Sequence, residues 1–132
     1  MDWKLELVVI PVSDVDRSKA FYAEQLGFSV DHDTQIGEMR VVQLTPPGSA
    51  CSITIGTGMV DTPPGWAKGM QLVVSDLAAA RAQLVERGVD VSPVQHFEDG
   101  RWVDGPGGRW NSFVHFDDPD GNRWVLQERP AE

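Results

Sequence analysis

The residues able to do chemistry in this chain are few and scattered. Its three histidines are His32, His96 and His115, and its single cysteine is Cys51. His115 falls on a strand just before the last turn of the chain, on the same face as Phe113. There it is either a general base or ligand contact, since imidazole titrates near neutrality, or a packed strand histidine. His32 lies between Asp31 and Asp33, as a solvated strand end would. His96 opens an irregular stretch, where it could face the mouth of a cleft or lie on the surface. Cys51 has no basic neighbour to stabilise a thiolate, so it reads as a small buried hydrophobe. Gln43 alternates with Val41 and Thr45, so an inward-facing strand would make it a neutral hydrogen-bonding group. Taken with Ser52 and Thr54, these residues form no Ser-His-Asp or Cys-His pattern, and nucleophilic catalysis has no support.

Positioning these groups falls to a run of short elements. Residues 4–12 are rich in β-branched side chains and read as a strand ending at Pro11. Ser13 or Asp14 caps a helix that buries Phe21, Tyr22 and Leu26 and stops at Gly27. Strands follow at 28–33, 38–45 and 51–56. Residues 57–68 are rich in Gly and Pro and read as a connector. A strand at 69–75 leads to a second cap at Asp76, a helix closed by Gly88, and a strand at 89–94. Residues 96–110, rich in glycine and holding Trp102 and Trp110, read as irregular. The last hairpin pairs about 111–116 with 122–128 around Pro119-Asp120-Gly121, residues suited in turn to the corners and the positive φ of a tight turn.

The halves repeat. Val12-Ser13-Asp14-Val15 matches Val74-Ser75-Asp76-Leu77, and Leu26-Gly27-Phe28 matches Arg87-Gly88-Val89. Thr45-Pro46-Pro47-Gly48-Ser49 occupies the place of Asp118-Pro119-Asp120-Gly121-Asn122. The expected architecture is α+β, a single domain of two β-α-β-β-β units: repeat 1 over about 4–56, a linker at 57–68, and repeat 2 over about 69–128. Two such units side by side would form a curved mixed sheet around a cleft.

The composition narrows the partners. The 132 residues are 41% hydrophobic and 23% charged, enough for a packed core, with no run long enough to span a membrane. The net charge of −9 comes without any Lys/Arg cluster, so nucleic acid is not an expected partner. No signal-peptide pattern occurs at the N-terminus, and a lone cysteine suits a reducing compartment, so a cytoplasmic location is expected. Of the five tryptophans, Trp66, Trp102 and Trp110 fall on expected loops. They could stack on a flat ligand, pack at a dimer interface, or anchor a loop that otherwise serves as a lid.

Taken together, Val12-Ser13-Asp14-Val15-Asp16-Arg17, Phe21-Tyr22, Leu26-Gly27-Phe28, Val74-Ser75-Asp76 and Asp118-Pro119-Asp120-Gly121-Asn122 resemble the vicinal oxygen chelate superfamily, which contains glyoxalase I, extradiol dioxygenases and bleomycin-resistance proteins. The resemblance implies the glyoxalase/bleomycin-resistance fold and homodimerisation. Metal-dependent members carry His, Glu or Gln at inward positions of four strands. Counted from the two caps and the last turn, those positions fall here on Leu7, Met70 and Val125, with the fourth on Ser52 or Thr54. Leu, Met and Val side chains cannot supply a hard ion with N or O ligands, so no metal and no other cofactor is expected. The implied function is sequestration of a small, partly aromatic ligand such as an antibiotic in an apolar cleft; the net negative charge would also suit a cationic ligand. Its expected contacts are Leu7, Val9, Gln43, Thr54, Trp66, Met70, Trp102, Trp110, His115 and Val125. The alternative is a lyase, isomerase or dioxygenase-like enzyme, either metal-free with His115 as the acid-base group or using metal ligands not recognised in the sequence.

Overall fold

Asp14 and Asp76 sit in nearly the same extended conformation (φ −135°, ψ 104° and φ −133°, ψ 94°), and each carboxylate accepts the amide three residues on, Arg17 at 3.1 Å and Ala79 at 3.0 Å. Both are helix caps, satisfying amides that the first turn leaves without partners. They start α1 (Val15–Ala20) and α2 (Leu77–Glu86). α1 runs on into a π-helical turn, Phe21–Gln25. Gly27 and Gly88, at φ 79° and 81°, take the left-handed conformation that ends each helix.

The computed structural model describes residues 1–131. Its strands are β1 (Leu7–Val9), β2 (Ser29–Ile36), β3 (Met39–Thr45), β4 (Ser52–Gly56), β5 (Met70–Val74), β6 (Gln95–Glu98), β7 (Arg101–Asp104), β8 (Phe113–Asp117) and β9 (Arg123–Glu128). They form two mixed sheets, ordered β1-β4-β3-β2 and β5-β9-β8-β6-β7. The class is α+β. The contacts divide the chain into two units. The first comprises Met1–Ala67 with Pro119–Asn122, and the second Lys68–Asp118 with the residues from Arg123 onward.

In the first unit β1 is parallel to β4, and β4-β3-β2 are antiparallel. Apolar cross-strand pairs, Val42 with Ile55 and Leu44 with Ile53, alternate with the polar pair Gln43 and Thr54. The apolar members are buried along with Phe21, Tyr22 and Phe28. Tyr22 stacks on Phe28 and meets Phe21 edge-on, with centroids 5.8 and 5.1 Å apart. Asp33 ties α1 to the β2-β3 hairpin. It accepts from Arg40 (2.9 and 3.0 Å) and Lys19 (2.8 Å), while Arg40 also bonds Asp16 at 2.6 Å. The Arg40 and then the Lys19 bonds hold the Asp33 carboxyl well below the usual carboxylate range.

In the second unit β5 is parallel to β9, and the remaining pairs are antiparallel. Leu77, Leu84, Val114, Phe116, Trp124 and Leu126 make its core. Two sequence expectations need correction here. The strand expected at 89–94 reduces to one bridge, Val91 with Phe116. Pro93, two residues after Val91, has no amide to donate to a continued ladder. The stretch expected to be irregular contains the β6-β7 hairpin, whose turn residues Asp99 and Gly100 both have positive φ (51° and 79°). An Asp-Gly pair of this kind matches the twist of a two-residue hairpin, a local signal embedded in a glycine-rich stretch.

Candidate functional site

His115 lies at the centre of β8, opposite Val125 of β9, which in turn pairs with Gln71 of β5. Since paired residues share a face and neighbours alternate, one face of this sheet carries Phe113, His115, Asp117, Arg123, Val125, Gln127 and Gln71. The opposite face carries the buried Val114, Phe116, Trp124 and Leu126. Ser92 splints His115 to the sheet edge. Its hydroxyl accepts the His115 amide and its own amide donates to the His115 carbonyl, both at 2.9 Å.

Trp102 stands on β7, and its ring is edge-on to His115, with centroids 4.4 Å apart. It makes the same kind of contact with Phe97 and Phe113, both at 5.2 Å. Around His115 and Trp102 is an open cavity of about 670 Å³, lined also by Asp90, Ser92, Gln95, Asp117 and Arg123. Asp90, Ser92, Gln95, Asp117 and Arg123 bring polar groups to its wall, from strand ends and the 90–95 segment. Burial, and next the positive charge of Arg123, lower the His115 pKa. The imidazole is therefore neutral at neutral pH and can accept a proton or share a hydrogen bond. Arg123 is paired with Asp117, and both side chains are about half exposed.

On the first unit, Leu7 pairs with Ser52, and Val9 with Thr54, itself opposite Gln43. These five residues share one face, alternating with the buried Ile53 and Ile55. The fourth expected position, open between Ser52 and Thr54, thus corresponds to two residues on the same side. The Thr54 side chain is 2% exposed, and its hydroxyl has no partner among the described residues.

Some expected contacts lie elsewhere. Met70 pairs with Trp124 and shares the core-facing side of β9, while its neighbour Gln71 takes the place beside Val125 and His115. Leu7 precedes Asp14 by an odd number of residues and Met70 precedes Asp76 by an even one, so they could not share a face; a one-residue slip reverses every side chain of a strand. Trp66, 70% exposed, lies in the connector, its amide donating to Pro63 at 3.3 Å. Trp110 lines a separate cavity of about 340 Å³ with Arg109, Ser112 and Glu128. His96 is on β6, its ring bonded to the Gly105 carbonyl at 2.8 Å and Glu98 at 3.3 Å. His32 is exposed on β2. Arg123, Asp117, Gln71 and Ser92 are not singled out by the sequence; alternation with Val125 and His115 could have suggested Arg123 and Asp117, whereas Gln71 reaches this face only through the pairing of β5 with β9.

The donors present do not suit the metal site of the family. On the first sheet Leu7, Ser52, Val9, Thr54 and Gln43 offer neither imidazole nor carboxylate, and on the second His115 is accompanied on its face only by the Asp117 carboxylate, which is paired with Arg123. Among the described residues no group of three or more His, Cys, Asp or Glu could hold a metal ion.

Residues 4–126 match the Glyoxalase/Bleomycin resistance protein/Dioxygenase superfamily. No curated protein matches the chain. Among solved structures it is similar to a glyoxalase/bleomycin resistance protein from Streptomyces sp. CB03234, with 33% identity, coverage of 95% of this chain and 100% of the other, and a TM-score of 0.75. It is also similar to TnmS3, an antibiotic binding protein from Streptomyces sp. CB03234, with 32% identity, 97% of each chain covered and a TM-score of 0.79. A superfamily member from Sphaerobacter thermophilus DSM 20745 shares 29% identity over 97% of this chain and 98% of the other, with a TM-score of 0.78. Two β-strand sheets with matching helix caps, read with these likenesses, lead to one conclusion: the chain belongs to the glyoxalase/bleomycin resistance protein/dioxygenase superfamily.

Proposed function

We propose that this protein binds and sequesters a small, partly aromatic molecule such as an antibiotic, without a metal ion or other cofactor. The observation that carries the reading is the Trp102-His115 pair in its cavity. A broad indole edge sits beside a neutral imidazole, with Arg123 and Asp117 at the rim. Such a wall takes a flat ring by contact and fixes its orientation through a few polar groups. Likeness to the antibiotic binding protein TnmS3 supports the reading. The aliphatic side chains at Leu7 and Val125, where metal-dependent relatives carry ligands, support the absence of metal. The protein works as a single two-repeat domain, a homodimer in the cytoplasm; family resemblance supports the dimer, and the lone cysteine supports the location. No helix among the described residues is long and apolar enough to cross a membrane.

Equilibrium titration with a panel of aromatic antibiotics, followed by tryptophan fluorescence, tests this. Saturable quenching with no divalent ion in the purified protein is expected. Absence of binding across the panel, or a stoichiometric divalent ion, overturns it. The neutral His115 favours a second reading, a metal-free enzyme with His115 as acid-base group. Turnover of a glyoxalase-type substrate that disappears in His115→Gln would establish that reading in place of the first.

A further inference from the structure

The loop before β8 places a tryptophan where the backbone favours glycine. The Asn111 amide donates to the Gly108 carbonyl at 3.1 Å, closing a turn whose third residue, Trp110, has φ 63°. That corner suits Gly or Asn, and a bulky residue there is strained. Gly105, Gly107 and Gly108 stand close by, yet the corner holds an indole that is 49% exposed. Strain kept at one position points to a use for its side chain.

The surroundings hold that conformation in place. Gln127 donates to the Trp110 carbonyl at 2.8 Å, and Gln71 donates to the Gln127 side-chain oxygen at 2.8 Å. The Asn111 side chain takes both backbone groups of Phe97, accepting at 2.9 Å and donating at 3.0 Å. Gly107 is packed so closely that an added Cβ would sit 2.4 Å from the Asn111 carbonyl oxygen.

Trp110 forms one wall of its cavity of about 340 Å³, near the small end of the range for ligand sites. Arg109 and Glu128 line the same cavity with opposite charges, and they are not paired with each other. One Arg109 nitrogen donates to the Ala131 carbonyl at 3.2 Å, and one Glu128 oxygen accepts the Leu77 amide at 2.9 Å. Their remaining donors and acceptors have no partner among the described residues. Ser112, 5% exposed, accepts the Gly107 amide at 3.1 Å and gives its own hydrogen to no described residue. Unpaired charges of both signs beside an aromatic face suit a ligand that carries both charges and a ring.

We propose that this cavity is a second binding site, separate from that of Trp102 and His115, for a small aromatic zwitterion of the α-amino-acid type. Its ring lies against Trp110, its carboxylate takes Arg109 and the Ser112 hydroxyl, and its ammonium takes Glu128.

Three compounds of one ring and chain test it: L-phenylalanine, 3-phenylpropanoate without the ammonium, and 2-phenylethylamine without the carboxylate. Binding is read by titration calorimetry and by the indole N–H resonances of the labelled protein, with Trp102→Phe and Trp110→Phe identifying two of the signals. L-phenylalanine is expected to bind about tenfold more tightly than either partial compound, the size of one charge-assisted hydrogen bond, and to move the Trp110 signal. Arg109→Gln should remove its advantage over 2-phenylethylamine. Glu128→Gln should remove its advantage over 3-phenylpropanoate, while the new amide oxygen still accepts the Leu77 amide. Trp110→Gly relieves the strain, so it is expected to keep or raise the urea midpoint and still lose L-phenylalanine. Absence of L-phenylalanine binding, equal affinity for the three compounds, or a response at Trp102 in place of Trp110 overturns the inference. So does an advantage that survives Arg109→Gln or Glu128→Gln, or binding that survives Trp110→Gly. The Trp102 signal reports the other cavity, so failure here and failure of the antibiotic panel are separate results.

Discussion

The carboxylate of Asp120 accepts both the backbone amide (3.1 Å) and the hydroxyl of Ser13. Arg17 adds an ion pair to the same carboxylate at 3.1 Å, and only 6% of the Asp120 side chain is exposed. The two stretches that carried most of the family resemblance, Val12-Ser13-Asp14 and Asp118-Pro119-Asp120-Gly121-Asn122, are thus bonded to one another. The turn is a clamp on the entry to α1 as well as a hairpin corner. Hydrogen bonds to an ionised group contribute more than neutral ones, so Asp120→Ala is expected to lower stability by about 2 kcal/mol. Urea unfolding followed by circular dichroism measures it, and an unchanged midpoint would refute the clamp.

Asn122 completes that contact from a fully buried position. Its amide nitrogen donates to the Pro11 carbonyl at 2.8 Å, and its oxygen accepts the Ala67 amide at 3.0 Å. Asn122→Leu leaves a carbonyl and an amide without these partners, and the expected loss is about 2–4 kcal/mol. Asn122→Asp keeps an acceptor for Ala67 but turns a carboxylate oxygen toward the Pro11 carbonyl. It should be the worse variant at pH 8 and recover in acid, where a protonated carboxyl can donate. Thermal unfolding at the two pH values shows whether it does.

His115 and His96 act on stability with opposite signs. The His115 pKa lies below its ordinary 6.5, because of burial and then Arg123. The unfolded chain therefore takes up this proton first, and the contribution of His115 is whole above pH 6.5 and lost as pH falls through its folded pKa. The His96 pKa is raised, first by its bond to the Gly105 carbonyl. Its contribution is whole below pH 6.5 and lost as pH rises through its folded pKa. His115→Gln is expected to flatten the decline in the urea midpoint between pH 7 and 5, and His96→Gln to flatten the decline above pH 6.5. The same sign for both variants would refute the assignment.

Ligand affinity should depend on Trp102 and be indifferent to chelators. Trp102→Ala removes one aromatic wall of the cavity, and about a tenfold loss of affinity is expected. Dialysis against EDTA should leave affinity unchanged. Titration calorimetry with any panel compound that binds reads both effects, and an EDTA-dependent loss would refute metal-free binding.

What the sequence by itself determined was local. Asp14 and Asp76 as caps, Gly27 and Gly88 as helix ends, and Gly121 (φ 89°) closing the last turn all follow from interactions reaching only a few residues. Their repetition was enough to identify the fold family. Tertiary structure decided which face each strand residue occupies. That choice depends on register against a distant partner, and a shift of one residue separates Met70 in the core from Gln71 beside His115. It also decided that Asp120, chosen in the sequence for its backbone, would bond Ser13, and that Arg123 would bring its charge to His115. Ser13 and Asp120 are 107 residues apart, so no local pattern encodes their contact, and the approach of Arg123 to His115 depends on the register of β8 against β9.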